Sequence, residues 1–403
     1  MHASPDTRAK AAGLGTGIRI ALGVVSLALA YASLSATLAT VISKSLPEKA
    51  VQIWPFDGRI NNALVLGSAV TANSGPLTQN SSYAVAALMA DPTTARAASA
   101  IGLRHEVQGD RAGALKAFQY GAKLSSRELQ THLWAINYAS ERGDIDTVLT
   151  HYDRALRTAR DAPSLLFPVL ANALRDPVVR ERLARMAGPA PWRRDFVVYA
   201  AQKAPQAEST IAFFAEAPRR GMAIETDVKD TLVATTFGKG MRALAWRYFR
   251  SNHPDARPNR SFDPQFSRAG SASTPFDWQI PEEALADTRF DRVSDGTRLA
   301  FDTTQSFRGP ILRQITALTP GRFRIEARHN LSAEAAPGLE WVLTCYPNGT
   351  PLGRAAVSST TAVFAVPSTC PFQTLSLQTA LLANTQGISG TFDKIEILPL
   401  AGS

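Results

Sequence analysis

Three periodicities of apolar and polar residues divide the chain. From Ile20 to Ile42 no residue is charged, and this run of about 23 residues is long enough to cross a hydrocarbon core of ~30 Å as a helix. Through the following two hundred or so positions apolar residues return every three or four places, as in Leu165, Leu166, Val169, Leu170 and Leu174. That spacing predicts amphipathic helices: one from Tyr83 to Ala90, one from Phe196 to Ala201, one from Ile211 to Ala215, and more over Val228 to Arg250. Asp176-Pro177 interrupts the pattern, and Pro, Ser, Asn and Arg crowd the stretch from His253 to Pro275, which reads as a linker or an extended entry strand. Beyond it the period falls to two. Leu299 and Phe301, then Phe323, Ile325 and Ala327, then Leu339, Trp341, Leu343 and Cys345, then Leu375 and Leu377, then Ile395 and Ile397 alternate with polar residues. Turn signals at Asp295-Gly296, Pro320-Gly321, Pro337-Gly338 and Asn348-Gly349 separate these runs. The expected fold is therefore multidomain: a tail over 1–17, a transmembrane helix over 18–43, an all-α helical-hairpin domain over 50–254, a linker over 255–274 and an antiparallel β-sandwich over 275–403.

A pair of glycine–aspartate dipeptides in the helical region, Gly109-Asp110 and Gly143-Asp144, stand 34 residues apart. Behind the first come Ala114 and Phe118, and behind the second Val148, Tyr152, Ala155 and Leu156. Each set reads as a turn followed by a helix that packs a small and then an aromatic residue against the helix before it. Gly102 lies in the preceding helix, in frame with Gly109, where two helices would cross closely. Helix-turn-helix units at this period resemble the tetratricopeptide repeat. Asp91-Pro92 matches the usual closing proline, and Gly240, Ala245 and Phe249 give a displaced further match. No tryptophan stands at the usual first-helix position, and Gly121 replaces the usual alanine. The resemblance implies repeats over 61–94, 95–128 and 129–162 and a surface that binds a protein partner. Gly102, Gly109, Ala114, Phe118, Gly143, Tyr152 and Ala155 would be its packing residues.

The last ~130 residues look like the jelly-roll sandwiches of carbohydrate-binding modules. The resembling elements are Pro275-Phe276-Asp277-Trp278, Gly296 to Leu299, Leu318 to Gly321 leading to Phe323, and the closing Gly390 to Ile395. By that likeness Trp278, with Asp277 beside it, is the candidate glycan contact. The competing reading makes Trp278 a core or interdomain plug.

Charge and cysteine usage add a compartment. Arg8, Lys10 and Arg19 precede the apolar run against Asp6 alone, which by the positive-inside tendency puts the N-terminus in the cytoplasm. The expectation is a single-pass protein of the bacterial inner membrane with its bulk in the periplasm. A cleaved signal peptide, with Ala30-Tyr31-Ala32 as the small-residue site, is the rival; it would leave ten apolar or small residues at the new N-terminus. The two cysteines, Cys345 and Cys370, both fall in the β region and are expected to form one disulfide in an oxidising compartment. The net charge is +9, and arginines crowd the middle from Arg175 to Arg220, read as a solvated basic helix face, with a surface for anionic lipid headgroups or an acidic polymer as the alternative. Nucleic acid is not expected as a partner in an exported region.

No catalytic constellation emerges. Gly13 to Gly17 imitates a nucleotide loop in its glycine spacing but follows no strand, and HExxH, GxSxG and GxxxxGK[ST] are absent. His105, His132 and His151 fall on repeat helices as packing or rim residues. Neither cofactor, metal site nor enzymatic activity is expected. The function this pattern favours is an envelope-exposed adaptor, with a role in cell-surface polysaccharide assembly or export suggested by architecture alone. The alternative is a glycan-binding or glycan-processing protein whose sandwich is the active element.

Overall fold

The computed structural model describes residues 6–43, 45–54, 77–268, 274–282, 286–303, 309–332, 335–359, 362–380 and 387–400. Expectations for residues 55–76, at the start of the first repeat, lie outside this set. The described chain falls into two compact units, Met1–Leu166 and Phe167–Ser403.

In the first unit, helix α1 (Asp6–Ile42) runs as one helix through the glycines at 13, 15 and 17. Its Gly23–Ile42 portion is long and apolar enough to cross a membrane. Large apolar side chains stand out from it, with Leu27, Leu34 and Tyr31 each about three-quarters exposed (76%, 74% and 75%). A short helix α2 (Pro47–Ile53) packs back on its end through Ala39 and Ala50, flanked by Ile42 and Trp54.

The repeats follow as α3 (Leu77–Ala90), the hairpin α4 (Ala95–Val107) and α5 (Arg111–Leu124), and the hairpin α6 (Leu129–Ser140) and α7 (Ile145–Thr158). Both hairpins turn in the same way. Gly109 and Gly143 take positive φ (77° and 68°), which glycine adopts without steric cost. In the first turn Asp110 N–H donates to the His105 carbonyl (2.8 Å) and Gly109 N–H to that of Glu106; in the second Asp144 N–H donates to Ala139 (3.0 Å) and Gly143 N–H to Ser140. These paired bonds close the first helix in a Schellman turn. The same aspartates then open the next helix: Asp110 accepts from Gly113 N–H (2.9 Å) and Asp144 from Thr147 N–H (3.1 Å). One dipeptide thus ends one helix and starts another, which is the physical content of the 34-residue spacing. Ala114, Phe118, Tyr152 and Ala155 are buried against the partner helices. Gly102 is buried under Phe118, and a Cβ there would lie 2.7 Å from Phe118 Cε2. Gly121 serves a second close approach, where a Cβ would meet Thr131 Oγ1 at 3.1 Å. The helical region is tetratricopeptide-like in this geometry.

Helix α8 (Ala162–Ala173) spans the boundary between the units. The second unit continues with α9 (Pro177–Ala187), α10 (Arg193–Lys203), α11 (Ala207–Glu216), α12 (Thr226–Gly238) and α13 (Arg242–Asn252). The Gly240 turn repeats the earlier device, with φ of 84° and Met241 N–H donating to the Thr236 carbonyl at 3.2 Å; Ala245 and Phe249 are buried behind it. The arginines of this segment are largely paired: Arg180 with Glu216, Arg193 with Glu225, Arg194 with Asp227, and Arg185 and Arg220 with Glu181. The basic face read from sequence is therefore a laced surface.

Nine strands follow: β1 (Asp287–Val293), β2 (Gly296–Asp302), β3 (Pro310–Thr316), β4 (Gly321–Asn330), β5 (Leu339–Cys345), β6 (Thr350–Ala356), β7 (Val363–Val366), β8 (Gln373–Thr379) and β9 (Ser389–Pro399). They form one sheet in the order β1-β2-β9-β4-β7 and another in the order β3-β8-β5-β6, with every strand pair antiparallel. With β1 set aside as an added edge, this is the strand order of a jelly roll. The alternating residues meet between the sheets: Leu299, Phe323, Trp341, Leu343, Leu375, Phe392, Ile395 and Ile397 share one buried cluster. Cys345 and Cys370 are joined (Cα–Cα 5.6 Å), tying the end of β5 to the loop before β8.

The segment expected as a linker is packed wherever it is described. Phe262 and Phe266 are buried, Ser261 Oγ donates to the Ile395 carbonyl, and Ile395 N–H donates to the carbonyl of Pro264 (2.9 Å). Residues 255–268 are better described as a strap laid along β9. Polar composition suggested a solvated connection, but the aromatic residues set within it supply the burial that holds it down. Phe237 of α12 and Trp246 and Phe249 of α13 meet Phe276, with Phe372 and Tyr346 against Phe237. This shared core explains why helices after residue 166 and the sandwich form one compact unit, so that the helical stretch 50–254 spans both units.

Candidate protein-interaction surface

The repeat hairpins build their most distinctive surface from α4 and α6. Phe118 stacks on Trp134 (centroids 4.6 Å, 15° between planes), Trp134 on Tyr138 (4.8 Å, 19°), and the Arg142 guanidinium lies 4.1 Å from the centre of the Tyr138 ring. The four form a ladder running from the core at Phe118 to the exposed Arg142. Spacing explains it: Trp134, Tyr138 and Arg142 follow at four-residue intervals on one face of the helix and its end. Trp134 Nε1 donates to Glu106 Oε2 at 2.9 Å, which fixes the ring against α4. On α4, Leu103 and Val107 flank Glu106 and are 39% and 63% exposed. Half-buried aromatic rings, an arginine and an apolar fringe are the composition of contact centres in protein interfaces.

The α6–α7 hairpin also holds a histidine pair that sequence placed only as separate packing or rim residues. His132 Nδ1 and His151 Nδ1 are 3.1 Å apart, and His132 Nε2 lies 2.9 Å from the Ser126 carbonyl. A carbonyl only accepts, so His132 carries its proton on Nε2 and, when neutral, accepts at Nδ1 from His151. Burial, then the neighbouring His132 and Arg154, push His151 down to about 4; burial likewise lowers His132. The pair is a neutral strut joining α6 to α7. The 19-residue separation gave no motif, because the hairpin alone brings the rings together.

Trp278 and Asp277 do not form a glycan platform. Trp278 is 2% exposed, its Nε1 donates to the Asp263 carbonyl (3.0 Å), and its ring packs on Phe266. Asp277 is 1% exposed and accepts from Thr274 and from Arg268 Nε (3.1 Å). Arg268 Nη2 also reaches Asp230 Oδ2 (2.8 Å), whose other oxygen accepts from His253 Nε2 (2.9 Å). Burial alone would raise Asp230, but these two donors outweigh it and hold the carboxyl below its ordinary value. The cluster is a clasp from α12 and α13 through the strap to the sandwich. A loop-like sequence around Trp278 concealed it because Asp230, which joins Arg268 to His253, is distant from both in the chain. Among the described residues no group of acidic, histidine or cysteine side chains has the arrangement of a metal site.

No protein-family model matches the chain, and no curated protein matches it by sequence. Similar solved structures include YrrB, described as a TPR protein with an unusual peptide-binding site (13% identity, 53% of this chain and 94% of that one, TM-score 0.26). PilW, a type IV pilus biogenesis factor, is similar at 14% identity over 50% of this chain and 95% of that one, with a TM-score of 0.26. Accessory secretory proteins 1, 2 and 3 of Streptococcus pneumoniae are similar at 11% identity over 30% of this chain and 92% of that one, with a TM-score of 0.23. Scores this low carry no argument. The repeat assignment stands on the turns, caps and close crossing at Gly102.

Proposed function

We propose that this chain is a membrane-anchored, non-catalytic adaptor exposed in the cell envelope, and that its repeat hairpins dock a partner protein. The observation that carries this reading is the Phe118–Trp134–Tyr138–Arg142 ladder bordered by exposed Leu103 and Val107. Helix α1 supports the anchor, and the basic residues before its apolar run support an inward N-terminus with the bulk in the periplasm of a bacterial cell. A role in assembling or exporting cell-surface polysaccharide is the pathway we infer from anchor, repeats and jelly roll together. A photo-crosslinking residue at Val107 in the native host tests the docking face. One dominant protein adduct, lost when Tyr138→Ala is added, is expected. No adduct at Val107, or an adduct indifferent to Tyr138→Ala, places the docking face elsewhere.

A further inference from the structure

The outer face of the sandwich holds a feature that protein docking does not use. Strands β2, β9 and β4 are neighbours, and they set Arg298, Asp393 and Arg328 side by side. Arg298 Nε donates to Asp393 Oδ1 at 2.7 Å, and Arg328 Nε lies 3.6 Å from Asp393 Oδ2. One carboxylate thus steadies two guanidinium groups, and their remaining N–H groups have no side-chain partner among the described residues. Arg292 of β1, which likewise has none there, borders the same cleft with Asp295 of the β1–β2 turn and Gln265 of the strap. The turn is two residues long and closed by Gly296 at φ 137°, and Asp295 and Gly296 both line the cleft. The cleft has a volume of about 660 Å³, within the ~300–1,000 Å³ range of small-molecule sites.

We infer that this cleft binds an acidic saccharide, a sugar ring carrying a carboxylate, with Arg292, Arg298 and Arg328 as the carboxylate contacts. Guanidinium groups match a carboxylate with paired N–H donors. A bare inorganic anion would leave most of the volume empty and would face Asp295 and Asp393, which offer it only acceptors. A sugar's hydroxyl groups donate to those two carboxylates and to the Gln265 carbonyl, and accept from its amide. Among the described residues, no aromatic side chain lines the cleft. Recognition therefore rests on charge and hydrogen bonds, and a neutral sugar forfeits the arginine contacts. The inference goes beyond the proposed adaptor role, since it concerns the sandwich and not the repeats.

Titration calorimetry on the full chain in detergent tests it, with galacturonate and mannuronate trimers, maltotriose and inorganic phosphate as probes. At least one uronate trimer should bind, weakening about tenfold or more in the double variant Arg292→Ala, Arg328→Ala, and weakening with added salt. Both arginines are exposed and Asp393 keeps Arg298, so the variant's unfolding midpoint should match the parent's. The inference is overturned if neither uronate binds, if maltotriose binds equally well, if phosphate competes as strongly as the trimers, or if the double variant binds unchanged. Crosslinking at Val107 is read separately, so failure of one result leaves the other standing.

Discussion

Gly102 and the His132–His151 pair show how differently single residues reveal themselves. The glycine was legible because the repeat frame demands a small residue where helices cross, and Phe118 indeed fills the space over it. Gly102→Leu should overpack this crossing and lower stability by about 1–3 kcal/mol, measured by denaturant unfolding; an unchanged midpoint would mean that the crossing gives way freely. The histidine pair was not legible, since its meaning depends on a contact made by the fold. Its pH behaviour follows from the lowered value of His151. Between about 4 and the ordinary 6.5 the unfolded chain binds more protons at this position than the folded one. Stability from the pair is full above that window and is lost as pH falls through it. His151→Gln, which cannot be protonated, should show a smaller drop in melting temperature from pH 7 to pH 4 than the parent chain. An equal drop in both would assign the acid sensitivity to other groups.

Helices and strands were legible wherever a period ran long enough, as in α7, where Tyr152, Ala155 and Leu156 are buried as expected and Leu149 takes the buried place expected of the half-buried Val148, or β5 with Leu339, Trp341, Leu343 and Cys345 facing inward. Their turns were legible too, through Gly109, Gly143, Gly296 and Gly349, which all take positive φ. The strap was not. Residues 255–268 have no period, and what orders them is tertiary: the aromatic cluster around Phe276 and the clasp of Asp230, Arg268 and Asp277. Trp278 had two readings, a glycan contact or a core plug, and it is the core plug, with a buried hydrogen bond to Asp263 that its loop-like neighbours do not reveal. The clasp sets an expectation for the element. Asp230 and Asp277 are 4% and 1% exposed, so Arg268→Ala takes the guanidinium from two buried carboxylates, leaving Asp230 with His253 and Asp277 with Thr274, at a cost of about 3–5 kcal/mol. Limited proteolysis reports it directly: the variant should be cut within residues 255–268 faster than the parent. Equal cutting rates would show that the aromatic contacts alone hold the strap.

At the scale of the whole molecule, the disulfide and the apolar helix bear on one another although they lie at opposite ends of the chain. Cys345 and Cys370 enclose a separation of 25 residues, and closing such a loop contributes about 3–4 kcal/mol in the chain-entropy account. The bond lasts only where the compartment is oxidising. On the proposed topology, with the charges before the apolar run inside and the sandwich outside, it persists in the cell. In a reducing cytoplasm it would be opened, and the sandwich would lose that constraint. Alkylation of intact host cells under non-reducing conditions, followed by mass spectrometry, should therefore find both cysteines protected. The full chain, in turn, should stay with membranes through an alkaline wash and retain its N-terminal residues. Cys345→Ala should lower the melting temperature of the sandwich while leaving the repeats unchanged, since their turns and caps involve neither cysteine. Two freely alkylating thiols in the native host would put the sandwich in the cytoplasm and reverse the orientation of α1. A soluble form beginning near Ser33 would instead make the apolar run a cleaved signal, leaving the disulfide where it is and removing the anchor from the adaptor.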